Sequence, residues 1–159
     1  MKNYKNLLFA GLLALILTVA NQRIYAHCEI PCGIYEDTIR VELIKEHITT
    51  IEKSMKMILE LSNEDVPNYN QIVRWVTNKE DHANKLQDIV SQYFLHQRIK
   101  PVSPDNEEMY NKYTERLILL HKLLVYAMKA KQTTDLGYID KLNKAILAFE
   151  KSYFHTHKH

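Results

Sequence analysis

Glycine is scarce in this chain. There are three, and only Gly33 and Gly137 lie beyond residue 26. Tight hairpins depend on residues of that kind, so a sheet-based fold is not expected. Neither sign of charge dominates, with 21 Lys and Arg against 19 Asp and Glu. The overall balance therefore gives no argument for nucleic acid or an anionic membrane as partner. There is no Cys-x-x-Cys-His for covalent haem and no glycine-rich phosphate loop. Internal repeats and low-complexity tracts are missing too. The di-metal centres of many helical bundles need Glu-x-x-His pairs. The residues three before His47, His82, His96 and His121 are Ile44, Lys79, Tyr93 and Ile118, so that class is excluded.

What is present begins with an export signal. Lys2 and Lys5 form a basic start, residues 7–20 are an unbroken run of apolar and small side chains, and Ala26 offers a small residue at the cut. Fourteen residues are too few for a bilayer span, which takes about twenty. Lipid attachment at Cys28 is disfavoured because His27 stands between it and the cut. Cleavage after Ala26 would make residues 1–26 a removed signal peptide and export the rest, with no stable membrane association afterwards. Losing Lys2, Lys5 and Arg23 takes the formal charge from +2 to −1. Only a local positive patch would then attract an anionic substrate.

The exported part predicts an all-α fold. Apolar residues recur at steps of three and four in four runs. These are Val41, Ile44, Ile48, Ile51, Met55, Ile58; then Tyr69, Ile72, Val76, Ala83, Leu86, Val90, Tyr93 with a polar gap; then Tyr110, Tyr113, Leu117, Leu120, Leu124, Ala127; then Ile139, Leu142, Ile146, Phe149, Tyr153. Pro67 and Asn68, then Pro101 and Pro104, then Thr133, Thr134 and Asp135 separate them, with Ser103 as the expected cap of the third helix. Short connections make sequential helices antiparallel, so residues 36–159 are expected to form an up-down four-helix bundle. The tyrosines read as packing groups, and His155, His157 and His159 as a polar tail.

Chemistry concentrates in residues 27–35, His-Cys-Glu-Ile-Pro-Cys-Gly-Ile-Tyr, which hold both cysteines. If His27 is the mature N-terminus, its α-amine, the Cys28 amide nitrogen and the Cys28 thiolate can close fused chelate rings on one metal. Cys32 can add a second thiolate if the chain turns back, and the His27 imidazole can reach an axial position. Pro31 bends the spacer without offering an amide, and Gly33 widens the conformations open to it. A planar N,S set suits Ni(II) or Cu(II) better than tetrahedral zinc. The same two cysteines also suit a disulfide in an oxidising compartment, within a structural exported bundle. A non-catalytic carrier or sensor of nickel or copper is a third reading of this segment.

The stretch HCEIPCGIY resembles, position by position, the N-terminal metal hook of nickel superoxide dismutases, and residues 79–101 (KEDHANKLQDIVSQYFLHQRIKP) are similar to a family segment as well. The resemblance implies a hook over 27–35 with His27, Cys28 and Cys32 as ligands of one nickel ion per chain. It implies dismutation of superoxide to oxygen and hydrogen peroxide by Ni(II)/Ni(III) cycling, with His27 and Tyr35 as the catalytic residues. Tyr35 would order water and gate small anions. Glu42 would be the carboxylate behind the His27 imidazole, with His82 where the family often has an arginine. The family assembles as a homohexamer of bundles, and the same is expected here.

Overall fold

The structure is a computed structural model, and it describes residues 36–154. The expected helices are all present: α1 (Asp37–Ser62), α2 (Tyr69–Asp88), α3 (Glu107–Gln132) and α4 (Gly137–Phe154). A π-helical segment, Ile89–Arg98, continues α2 without a break. Among the described residues there is no strand, and no helix is long and apolar enough to cross a membrane.

Cross-helix hydrogen bonds give the direction of each neighbour. Tyr153 near the end of α4 and Arg98 at the end of the π segment both reach Asp37, the first residue of α1. Lys79 in α2 reaches the carbonyls of Lys131 and Thr133 at the end of α3. Arg116 in α3 donates to the Ser152 carbonyl in α4 at 2.6 Å. The Asp37 contacts set the start of α1 beside the ends of α4 and the π segment, as an up-down antiparallel bundle requires.

The core follows the apolar runs closely in α1 and α4, where every expected residue is buried. Each large aliphatic side chain so enclosed is worth about 1.5–3 kcal/mol of transfer free energy. In α2 the burial starts at Lys79 and Ala83, whereas Tyr69 is 73% exposed. In α3 the buried residues are Leu119, Leu120, Leu123, Ala127 and Ala130, with Leu117 and Leu124 at the flank and Tyr110 exposed. The run from Leu117 to Ala127 is apolar at almost every position, so spacing alone left its inward face ambiguous.

The polar gap in α2 has a specific occupant. Lys79 lies 4% exposed and its ammonium donates to the Lys131 and Thr133 carbonyls at 2.8 and 3.0 Å. A helix end leaves such carbonyls without partners, so a lysine from the neighbouring helix caps α3. The start of α3 corrects the expected cap. Asn106, not Ser103, accepts the Met109 amide, at 3.1 Å, while Ser103 and Asp105 form a turn ahead of it. Glu107 and Glu108 in the first turn favour this start, because acids suit a helix N-terminus.

Candidate metal centre

The hook residues His27, Cys28, Cys32 and Tyr35 lie outside the described residues, as do residues 1–26 and His155, His157 and His159. What is described is the platform that follows them. Asp37 stands two residues after Tyr35, and its carboxylate is the centre of a polar knot. It accepts hydrogen bonds from the Tyr93 hydroxyl, from Arg98 Nε at 2.9 Å and from the Tyr153 hydroxyl at 2.7 Å. Arg98 Nη2 donates to the Tyr93 hydroxyl at 3.0 Å, so two elements, the π segment and α4, close on the first turn of α1. The Arg98 and Arg40 guanidiniums lie over the Tyr93 ring at 4.9 and 5.0 Å.

The electrostatics follow from this geometry. Burial alone would raise the Asp37 pKa, but the two phenol hydrogen bonds and the Arg98 charge outweigh it and leave the carboxyl below its ordinary value. Tyr153 and Tyr93 are pushed upward, first by burial and then by bonding to that carboxylate. Both phenols therefore stay protonated as donors.

The π segment makes the knot possible. Residues five apart lie on different faces of an α-helix but come into register where the hydrogen bonds run from i to i+5. Tyr93 and Arg98 are five apart and converge on one carboxylate. The same spacing recurs in Ile99 N–H to the Phe94 carbonyl, at 2.9 Å. Aromatic packing holds the segment down, since Phe94 sits edge-on to Tyr93, Phe149 and Tyr153.

The same end of the bundle is rich in cations. Arg98, Lys100, Lys112 and Arg116 line a cleft of about 60 Å³ whose apolar wall includes Ile99, Val102 and Met109. Lys112 is paired with Glu108 and Arg98 with Asp37. Arg40 adds a further positive charge one turn into α1.

Glu42 lies on the outer surface of α1, its side chain 59% exposed, and its partner is Lys45 at 2.8 Å. Lys45 also bridges to Glu150 of α4 at 2.9 Å. His82 is placed against His47, Nδ1 to Nδ1 at 3.1 Å. Among the described residues no group of three or more His, Cys, Asp or Glu is arranged to hold a metal. Asp37 and Arg98 went unrecognised in the sequence because nothing in an α-helical period joins Arg98 to Tyr93.

The chain thus combines a four-helix bundle with a preceding segment that carries a histidine and both cysteines. A family model described as nickel-containing superoxide dismutase matches residues 22–158, and the chain belongs to that family. It is thus a nickel superoxide dismutase, an oxidoreductase with a nickel cofactor. No curated protein matches the chain, and neither does any solved structure.

Proposed function

We propose that the reaction takes place at the N-terminal hook, with His27, Cys28 and Cys32 as the residues that hold the nickel. The donor chemistry fits the ion: two thiolates, an amine and an amide nitrogen, with an imidazole on the same residue as the amine, would suit Ni(II). Bound there, nickel would supply a Ni(II)/Ni(III) couple for the oxidation of one superoxide to oxygen and the reduction of the next to peroxide. The chain's own part is to keep both sulfurs as thiolates, expose the His27 amine and seat the hook on something rigid.

The observation that carries the reading is the anchoring of Asp37, two residues beyond the hook, by Tyr93, Arg98 and Tyr153. A site held on a locked platform keeps its geometry better than one on a free loop. Arg40, Lys100 and Arg116, beside the paired Arg98 and Lys112, give a small anion cationic groups to meet at this end of a near-neutral chain. Tyr35, directly before the platform, orders water and admits small anions. Glu42 backs the His27 imidazole in exchange for part of its bond to Lys45. Export, cleavage after Ala26, one nickel per chain and a homohexamer complete the proposal. Exposed Tyr69, Val73, Ile118 and Leu147 offer apolar surface for subunit contacts.

One preparation tests these points together. The purified mature protein should begin at His27, carry one nickel per chain, consume superoxide and sediment as a hexamer. Replacing Cys28 or Cys32 by Ser should abolish superoxide consumption. Full activity in Cys32→Ser, or an N-terminus other than His27, contradicts the hook assignment.

A further inference from the structure

The imidazole pair between α1 and α2 has no part in the chemistry above. His47 and His82 meet through their Nδ1 atoms at 3.1 Å, with ring centroids 5.0 Å apart and planes 76° from parallel. Both rings are half-buried. One Nδ1 must donate and the other accept, so the two rings share a single hydrogen. Imidazole nitrogen binds zinc at about 2.0–2.1 Å, so two such donors on one ion stand about 2.9 Å apart at a right angle and about 3.4 Å apart at the tetrahedral angle. The observed separation lies between those limits. Small ring rotations would turn both lone pairs from each other toward a shared point.

We propose that His47 and His82 form a second metal site, a two-imidazole clip that takes a borderline divalent transition-metal ion between α1 and α2, separate from the hook. The balance is simple. The donor ring moves its hydrogen from Nδ1 to Nε2, both imidazoles stay neutral, and the ion takes the bridging position. Burial holds both groups below the ordinary histidine value, so the neutral form that a metal needs is the resting one near neutral pH. Glu46 and Asp81 contribute negative charge nearby, and Lys85 opposes it. No third protein donor completes a cluster among the described residues, so water fills the remaining positions. Such a clip is weaker than a closed four-ligand site, and it exists only when α1 and α2 are packed. Metal should therefore stabilise the fold by mass action.

The test uses the full chain with the hook and tail donors removed: His27→Ala, Cys28→Ser, Cys32→Ser, and His155, His157 and His159 each changed to Ala. Adding ZnCl2 at ten times its dissociation constant should raise the melting temperature by about 5 °C. Cu(II) bound to the same protein should show two imidazole nitrogens in its paramagnetic resonance spectrum. Introducing His47→Gln or His82→Gln, each able to keep a hydrogen bond across the interface, should abolish the zinc shift. No shift in the parent, or an equal shift in both Gln variants, overturns the proposal. A copper spectrum with fewer than two nitrogens overturns it as well, and needs no variant to fold. Because the cysteines are absent throughout, the outcome is independent of whether the hook is the site of dismutation.

Discussion

The Tyr153 hydroxyl donates to Asp37 Oδ2 at 2.7 Å, joining the penultimate residue of α4 to the first residue of α1. That bond ties the last helix to the first and brings the two ends of the described residues to one end of the bundle. The leading segment holds the cysteines. On the proposed function the hook ends two residues before Asp37, so disturbing this tie should move stability and activity together.

Asp37→Asn keeps the shape and removes the charge that two phenols and Arg98 converge on. Its cost at neutral pH should be about 2 kcal/mol of unfolding free energy, in the range for hydrogen bonds to an ionised group. Because the folded-state pKa of Asp37 is lowered from 3.8, its contribution is fully present above that value and is lost as pH falls through the depressed one. Urea unfolding of parent and variant should show a gap at pH 7 that narrows below about pH 4. A gap that stays constant through the acid range would mean that the carboxylate charge is not what holds the knot.

Tyr153→Phe tests one bond of the same knot without its packing. The ring keeps its neighbours Phe94, Phe149 and Phe154, whose centroids lie 5.2–5.7 Å away. Only the hydroxyl is lost, and the expected destabilisation is about 1 kcal/mol. Superoxide consumption should fall while nickel content is retained, since the donors are untouched. A variant with parental stability and rate would assign Tyr153 to packing alone.

Arg98→Lys asks whether a point charge can replace a planar fork. Arg98 serves Asp37 through Nε and the Tyr93 hydroxyl through Nη2 while lying over the Tyr93 ring. An ammonium can keep the charge pairing but not both bonds and the stacking. A loss of about 1 kcal/mol is expected by chemical denaturation, in the range of one hydrogen bond. Parental stability in the lysine variant would reduce the role of Arg98 to simple charge neutralisation.

The bundle was legible in the sequence because α1 and α4 carry their apolar residues at unambiguous helical spacing, and every one of them is buried. The inward face of α3 was less so, since Leu117, Leu119, Leu120, Leu123 and Leu124 satisfy more than one three-and-four pattern. Reading the polar stretch of α2 as a gap missed that Lys79 is a core residue with a capping task. The candidate site divides in the same way. The proposed donors at His27, Cys28 and Cys32 come from the sequence alone, because chelation depends on short sequence separations. The Asp37 knot could not, because it joins residues 56, 61 and 116 positions apart and uses a π-helical register that composition does not announce.

Lys79 supplies the last test, at the opposite end of the bundle. Its stem is enclosed and its ammonium bonds the carbonyls of Lys131 and Thr133, so Lys79→Met retains most of the packing and deletes the cap. Burial pulls the Lys79 pKa below its ordinary value, which shows that desolvation offsets part of what the cap contributes. The net loss in the methionine variant should accordingly be modest, about 1–2 kcal/mol, and Lys79→Ala should cost about 1 kcal/mol more by opening a cavity. Amide exchange should speed up in the last turn of α3 and not at Asp37, because the two polar clusters lie at opposite ends. Unchanged exchange at Ala130, Lys131 and Gln132 in the methionine variant would mean that water already satisfies those carbonyls and that the buried ammonium caps nothing.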